Sequence, residues 1–224
     1  MPTVVSELYG AIRIPGWVVD PDSFCRWVGS ADLPEKLSVH FIRGEVWVDL
    51  SMEEMFSHNQ VKTALGITLG ALIQEGHLGI YTTDGMQFAS ESAGIVTNPD
   101  AMYLSNESLR TKRVGFVAGK KTSATATRIV GIPDLVIEVI SPSSEDKDTE
   151  WLMSAYWNAG IPEYWLVDAR DDELGLKIYK RGLKGYPEPR RVDGWSKSAV
   201  LKRSFRLTST TGPHGYPVYH LEHR

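Results

Sequence analysis

Carboxylates embedded in apolar segments are the residues of this sequence best placed to do chemistry. Asp100 opens an apolar segment after Asn98-Pro99, and Glu138 lies inside the apolar run from Pro133 to Ile140. An ionised carboxylate is costly to bury unless a cation compensates it, and a divalent metal ion is a common compensator at catalytic sites. An ion pair with Lys or Arg is the main structural alternative for Glu138. The pattern favours an enzyme.

Three other polar residues are candidates for the same site. Glu45 begins the second strand of a predicted hairpin, and His58 falls on the core-facing side of a helical pattern. A core histidine with a satisfied hydrogen bond is the alternative for His58. Two or three carboxylates on neighbouring strands suffice for Mg²⁺ or Mn²⁺, which gives Asp100, Glu138 and Glu45 as predicted ligands. Asp134, on the same strand face as Glu138, is either a further ligand or a capping acid.

Strands and helices at regular intervals must position these residues. The patterns predict helices starting at Asp20-Pro21 and covering 57–75 and 148–159, and strands at 37–42, 45–50, 80–89, 100–104, 132–140, 163–167, 176–180, 199–201 and 218–221. The polar, basic stretch 105–128 is predicted to be a long excursion or flap. Strand 132–140, helix 148–159 and strand 163–167 form a crossover unit, which requires parallel, adjacent strands.

Length and composition indicate an ordinary globular protein. With 224 residues, 42% of them hydrophobic, the chain can bury one large core, and we expect an N-terminal helical appendage (1–36) and a main domain (37–224). Cys25 is the single cysteine, so an intramolecular disulfide is excluded. The apolar runs are too short to span a bilayer, and no basic leader precedes an apolar run at the N-terminus. We therefore expect a soluble cytoplasmic protein without a membrane partner.

The charge is unevenly distributed along the chain. A formal net charge of −4 argues against a protein that coats nucleic acid by bulk electrostatics. Basic residues nevertheless dominate from Lys177 to Arg206, in the predicted C-terminal strands. This region either holds phosphates or is a solvated strand face, and the sequence leaves both interpretations open.

Three segments together resemble a known family. They are Asn98-Pro99-Asp100, the run from Gly131 to Ser144, and the run from Gly160 to Asp168. In order and spacing they resemble the Uma2 family of restriction-endonuclease-like proteins, which belongs to the PD-(D/E)xK nuclease superfamily. The resemblance spans roughly residues 39–179 and also takes in Arg43 to Val46, His58 to Gln60, and Asp148 with Tyr156.

The resemblance implies a fold and an activity. The fold class is α/β (α+β), with a restriction-endonuclease-like core in which helices flank a mixed sheet. The implied activity is metal-dependent hydrolysis of phosphodiester bonds, with DNA as the expected nucleic acid and a homodimer as the expected assembly. Asp100 matches the first aspartate of the superfamily and Glu138 its second acid. Glu45 and His58 match an upstream glutamate and a helix histidine that assist the site.

The lysine of the superfamily pattern is missing. Ile140 occupies its place on the strand, and Leu152 stands at the helix position where family members often carry a lysine. Lys147 is five residues before Leu152, about 1.4 turns of an α-helix, which predicts a different face. Lys62, one turn after His58, is the candidate for a displaced amine.

Two other activities stay open at this stage. The missing lysine is compatible with a nuclease-fold protein that binds nucleic acid but is catalytically impaired. Paired carboxylates could also perform acid–base hydrolysis of a sugar without metal.

Overall fold

The elements follow one another in chain order across the described residues. The structure is a computed structural model that describes residues 3–6, 10–30, 33, 37–49, 54–84, 86–117, 125–142, 144–171 and 173–224. Its strands are β1 (Thr3–Ser6), β2 (Gly10–Arg13), β3 (Ser38–Ile42), β4 (Glu45–Asp49), β5 (Gly79–Thr83), β6 (Gln87–Ser90), β7 (Ile95–Thr97), β8 (Ala101–Ser105), β9 (Val114–Val117), β10 (Arg128–Gly131), β11 (Leu135–Val139), β12 (Glu163–Asp168), β13 (Gly175–Lys180), β14 (Arg191–Val192), β15 (Trp195–Ser198), β16 (Arg203–Thr211) and β17 (Pro217–His223). Its α-helices are α1 (Pro21–Val28), α2 (Val61–Glu75), α3 (Asn106–Arg110) and α4 (Met153–Asn158).

A five-stranded mixed sheet forms the centre, in the order β13-β12-β11-β8-β5. Strand β11 runs antiparallel to β8 and parallel to β12, and the segment between β11 and β12 contains α4. The predicted crossover with parallel, adjacent strands is therefore confirmed. Each of the helices α2 and α4 is preceded directly by a π-helical turn, Met55–Gln60 and Lys147–Leu152 respectively.

Strand β11 is buried on both faces. Leu135, Ile137 and Val139 join the cluster that α2 and the C-terminal strands cover. Val136 and Ile140 join a second cluster, which includes residues of α4. Because successive side chains of a strand point to opposite faces, Glu138 shares the α4 side with Val136 and Ile140. The carboxylate of Glu138 therefore lies in the apolar layer between β11 and α4.

A six-stranded sheet, β4-β3-β7-β6-β10-β9, lies beside the centre. Its β3–β4 hairpin turns at Arg43 and Gly44, both with positive φ (54° and 87°), as a two-residue hairpin turn of this kind requires. The predicted hairpin is confirmed, although Leu50 lies outside the described residues. Helix α1 packs on this sheet through Phe24 and Trp27.

The last strands form a separate four-stranded antiparallel sheet, β14-β15-β16-β17. Phe205, Leu207 and Leu221 pack its inner face into the central core. The buried carboxylate of Glu163 ties this sheet to β12, since it accepts hydrogen bonds from Ser198 Oγ (2.6 Å), Ala199 N (2.8 Å), Val200 N (3.2 Å) and Trp165 Nε1 (2.7 Å).

Among the described residues, no helix is long and apolar enough to cross a membrane.

Three predicted segments are wrong. The strand predicted at 80–89 is two strands in different sheets, β5 and β6, because the chain turns at Asp84. Residues 105–117 of the predicted flap form α3, which the Ser105 hydroxyl caps, and β9; residues 118–124 lie outside the described part. The predicted strand 199–201 is the turn between β15 and β16.

Candidate active site

Asp100 and Glu138 meet where β8 and β11 stop pairing. The last pair of that antiparallel ladder is Ile137 with Ala101, so Glu138 and Asp100 are the next residues to face each other. Instead of another backbone bond, the Asp100 Oδ2 atom accepts a hydrogen bond from Val139 N at 2.7 Å. The two predicted acids are therefore brought to one place by strand register.

The Asp100 carboxylate is surrounded by donors. His58 Nε2 lies 3.6 Å from Oδ2, and Lys62 Nζ lies 3.4 Å from Oδ1. Burial raises the pKa of Asp100, but His58, Lys62 and the Val139 amide outweigh burial and leave the pKa lowered. Lys62 also contacts Asp84 at 2.6 Å. Both predicted helix residues, His58 and Lys62, therefore lie at Asp100.

The pKa of Glu138 is raised, whereas that of Asp100 is lowered. It is 3% exposed, and Tyr156 Oη donates a hydrogen bond to Oε1 at 2.5 Å. Its pKa is raised well above the usual range by burial and by the nearby carboxylates of Asp148 and Asp100, while Lys147 acts in the opposite sense. A negative charge at Glu138 is thus short of compensation.

Lys147 is the cation that faces this group of acids. Its side chain is 13% exposed, and its Nζ lies 3.5 Å from Asp148 Oδ1. Burial lowers the pKa of Lys147, but the neighbouring carboxylates outweigh burial and raise it; they are Asp148, Glu138, Asp49 and Asp100. The ammonium of Lys147 therefore stays charged at neutral pH.

Lys147 and Leu152 lie in a π-helical turn, so the α-helical spacing that predicts different faces for them does not apply. Hydrogen bonds in a π-helix run from residue i to i+5, so residues five apart lie about one turn apart rather than 1.4 turns. Asp148, in the same turn, is buried and accepts a hydrogen bond from Ser144 Oγ at 2.6 Å. Burial raises the pKa of Asp148 to about 6, against the lowering effects of Lys147 and Ser144.

The β3–β4 hairpin supports this turn and brings two further residues towards it. Trp151 packs against Trp47 with ring centroids 5.1 Å apart, and the Arg43 guanidinium lies 5.1 Å from the Trp151 ring. Asp49 is one of the carboxylates that raise the pKa of Lys147, so Asp49 lies within electrostatic range of that ammonium. His40 is buried, with Nδ1 2.8 Å from Thr97 Oγ1.

His40 was missed because its strand position shows only an isolated histidine in an apolar run. Burial, and then the positive charge of Lys147, lower the pKa of His40 to about 3 against the opposing effects of Asp49 and Asp100. His40 is therefore neutral at neutral pH, within electrostatic range of Lys147.

Glu45 is the predicted site residue that the structure does not bring to Asp100 and Glu138. It is exposed beside the hairpin turn, whereas Asp49, four residues and about 13 Å further along the same strand face, lies near Lys147. The two side chains share a strand face but lie at opposite ends of β4. Among the described residues, no group of three or more His, Cys, Asp or Glu side chains could hold a metal ion. The predicted ligand set of Asp100, Glu138 and Glu45 is therefore not assembled.

The carboxylate of Asp134 is engaged by hydrogen bonds and an ion pair within the protein. It accepts hydrogen bonds from Ser105 N (2.7 Å) and Ser108 Oγ (2.9 Å), and it pairs with Arg113. It therefore anchors α3 and fits the capping alternative.

Next to Asp100, a cavity of about 30 Å³ is bounded by Lys62 and Tyr81, and this volume has room for a water molecule.

Comparisons with known proteins identify the family and the fold of the chain. The family described as "Uma2: Putative restriction endonuclease" matches residues 21–210. The chain belongs to the Uma2 family. The resemblance of the three sequence segments is thus confirmed, and the match begins at the first residue of α1.

A solved structure shares the fold of this Uma2 protein. It is described as a "putative nuclease belonging to DUF820" from Anabaena variabilis; the similarity has a TM-score of 0.60 at 15% identity and covers 82% of this chain and 91% of that one. The predicted α+β nuclease-like fold is confirmed. A search of curated proteins found no match.

Proposed function

We propose that this protein is a divalent-metal-dependent nuclease that hydrolyses phosphodiester bonds of nucleic acid, with DNA as the expected substrate. The observation that carries the proposal is the juxtaposition of Asp100 and Glu138 where the β8–β11 ladder ends, with the largely buried ammonium of Lys147 close to both carboxylates. Membership of the Uma2 family supports the same reaction class.

The donor set suits Mg²⁺ or Mn²⁺. These ions prefer oxygen ligands and keep several waters, so one or two carboxylates suffice, and Asp100 and Glu138 would supply them. The raised pKa of Glu138 shows a carboxylate whose ionised form lacks compensation, which a bound cation would provide. When bound, the metal would polarise the phosphate and lower the pKa of a coordinated water.

Lys147 supplies electrostatic stabilisation at this site. Because its pKa is raised by the surrounding carboxylates, it acts as a charged hydrogen-bond donor and not as a general base. A fixed ammonium beside the carboxylates stabilises negative charge that develops on the phosphate oxygens. Lys147 thereby replaces the lysine that the strand position Ile140 lacks.

Lys62 and His58 position the other carboxylate. Lys62 Nζ contacts Oδ1 of Asp100 while His58 Nε2 faces Oδ2, so the two oxygens are held from different sides. The lowered pKa of Asp100 keeps it ionised at neutral pH, which a metal ligand requires.

A second candidate function is nucleic-acid binding without cleavage. The observation that favours it is Ile140, which is 4% exposed and packed in the core where the superfamily pattern places its lysine. If Lys147 cannot replace that lysine, the fold would retain binding alone.

Cleavage assays separate the two functions. The purified protein is incubated with supercoiled plasmid, labelled single-stranded DNA and RNA in MgCl₂ or MnCl₂, beside a chelator control and the Asp100→Asn variant. Metal-dependent cleavage that the variant lacks supports the nuclease. Salt-sensitive binding with no cleavage in either metal supports the binding protein, and cleavage that persists in excess chelator contradicts metal dependence.

A further inference from the structure

The outer face of the C-terminal sheet is basic although the chain as a whole is acidic. Residues 190–224 contain seven Lys and Arg residues and two acids, while the whole chain has a net charge of −4. Phe205, Leu207 and Leu221 fill the inner face, so Lys197, Arg206 and Arg224 fall on or beside the opposite face. The basic residues of the sequence are therefore concentrated on a defined surface.

Trp195 organises the guanidinium groups of this surface. The Cζ atoms of Arg206 and Arg224 lie 4.7 Å and 4.4 Å from its ring centroid. Arg224 is paired across the strands with the small residue Ser204, which leaves room for its side chain to reach Trp195. Cation–π contacts of this kind hold flexible arginine side chains in place and leave part of their hydrogen-bonding edge available.

Acids neutralise little of this surface. Glu222 is engaged by Arg206 at 2.6 Å and by Thr208 at 3.1 Å. Within the described part of the chain, no ion pair joins Lys197 or Arg224 to a carboxylate. Two cations on the surface are thus available to an external anion.

The same sheet reaches the candidate active site. At the tip of the β16–β17 hairpin, Tyr216 stacks on Phe56 with centroids 4.8 Å apart and an interplanar angle of 11°. Phe56 precedes His58 by two residues in the π-helical turn that leads into α2. Thr68 on α2 donates a hydrogen bond to the Leu221 carbonyl at 3.1 Å. The hairpin therefore connects the basic face to the turn that carries a site residue.

We infer that the outer face of β15, β16 and β17 binds the phosphate backbone of the nucleic acid that the active site cleaves. The inference rests on the proposed function and adds to it a second, noncatalytic contact surface. Strand β16 alone, with nine residues, spans roughly 30 Å, the length of several successive phosphates. The partner is recognised by charge and not by base sequence.

The test measures binding under conditions in which cleavage is impossible. Anisotropy of a fluorescein-labelled DNA duplex is titrated in EDTA at several KCl concentrations with the wild type and the Lys197→Ala/Arg224→Ala variant. We expect the variant to bind about tenfold more weakly at low salt, with the slope of log K against log [salt] reduced by about two. Lys197→Arg/Arg224→Lys keeps both charges and should retain the wild-type slope.

A matched control removes two cations elsewhere. Arg26 on α1 and Lys112 in the turn after α3 are exposed, and the Arg26→Ala/Lys112→Ala variant should bind as the wild type does. Equal slopes and affinities for the wild type and the Lys197/Arg224 alanine variant would overturn the inference, as would a wild type that does not bind DNA. In the first case metal-dependent cleavage by the wild type would still stand, so the two proposals can fail separately.

Discussion

Two buried glutamates on adjacent strands, Glu138 on β11 and Glu163 on β12, are stabilised in contrasting ways. Glu163 is fully buried and accepts four hydrogen bonds, two on each carboxylate oxygen. Glu138 is 3% exposed and, among the described residues, has one hydrogen-bond donor, Tyr156. Glu163 is surrounded by donors, whereas Glu138 is surrounded by other acids and by Lys147.

The contrast shows that burial of a carboxylate does not by itself identify a catalytic group. What distinguishes the two residues is whether the fold supplies enough donors to compensate the charge. Glu163 is complete within the protein and holds the C-terminal sheet on β12. Glu138 has fewer donors, and its raised pKa fits the proposed role of this residue as a metal ligand.

The largest expected effect comes from Glu138→Gln. Loss of a metal-binding carboxylate should lower the cleavage rate on the order of 10⁴-fold. The folded protein should be as stable as the wild type or more stable at pH 7, because a neutral amide removes repulsion with Asp148 and Asp100. Plasmid cleavage and urea unfolding measure the two effects, and a variant that cleaves at the wild-type rate would refute the assignment.

The second effect concerns the two lysines of the site. Lys147→Met should lower the cleavage rate by about 10²- to 10³-fold, the usual loss when one preorganised charge donor is removed. Lys62→Met should cost less, since His58 and the Val139 amide still hold Asp100. Single-turnover cleavage rates at saturating protein compare the two variants directly. A larger loss of rate for Lys62→Met than for Lys147→Met would show that Lys62, and not Lys147, is the more important lysine for cleavage.

Glu163→Gln tests the other half of the comparison. Each oxygen of Glu163 accepts two hydrogen bonds, so an amide nitrogen in either orientation would face two donors. We expect the free energy of unfolding to fall by about 3 kcal/mol, as measured by urea denaturation. The cleavage rate of the remaining folded protein should be unchanged, and a stable but inactive variant would contradict a structural role.

His40 gives the smallest expected effect, on the pH dependence of stability. The folded pKa is about 3, whereas an unfolded histidine titrates near 6.5, so the unfolded chain binds more protons between these values. The contribution is fully present above about pH 6.5 and decreases as pH falls, by about 2 kcal/mol between pH 6.5 and 5. In urea unfolding, the stability of the wild type should fall by this amount relative to that of His40→Gln between the two pH values.

An exposed histidine provides the control for that measurement. His220→Gln makes the same chemical change on the exposed face of β17 and is the matched variant. Glu138 and Asp148 titrate in all three proteins, so their contributions cancel in the comparison. Equal pH slopes for the wild type and His40→Gln would show that His40 is not held neutral.

The sequence predicted the parts of the site that depend on strand pattern. The apolar run around Glu138, the strand opening at Asp100 and the crossover to β12 are local signals, and register then brings the two acids together. His58 was correctly predicted to face the interior. These features follow from alternation and helical spacing, which can be read without knowing the partners.

The remaining features depend on geometry that alternation and spacing do not contain. α-Helical spacing predicts Lys147 on a different face from Leu152, whereas the chain forms a π-helical turn at these residues. Glu45 is predicted from its place after the hairpin turn and from the resemblance, and only the tertiary structure shows that Asp49, at the other end of β4, lies near Lys147. The sequence carries no local signal for the role of Glu163, since its four donors come from β12 itself and from the end of β15 and the turn after it, 35 to 37 residues later.

The most direct test of the account is the effect of metal on the melting temperatures of the wild type and Glu138→Gln at pH 7. Without metal, the variant should melt at the same temperature as the wild type or higher. With MnCl₂ or MgCl₂, the melting temperature of the wild type should rise while that of the variant stays constant, because a ligand that binds only the folded state stabilises it. A wild type that does not respond to metal, or a variant that responds equally, would contradict the claim that Glu138 completes a cation site.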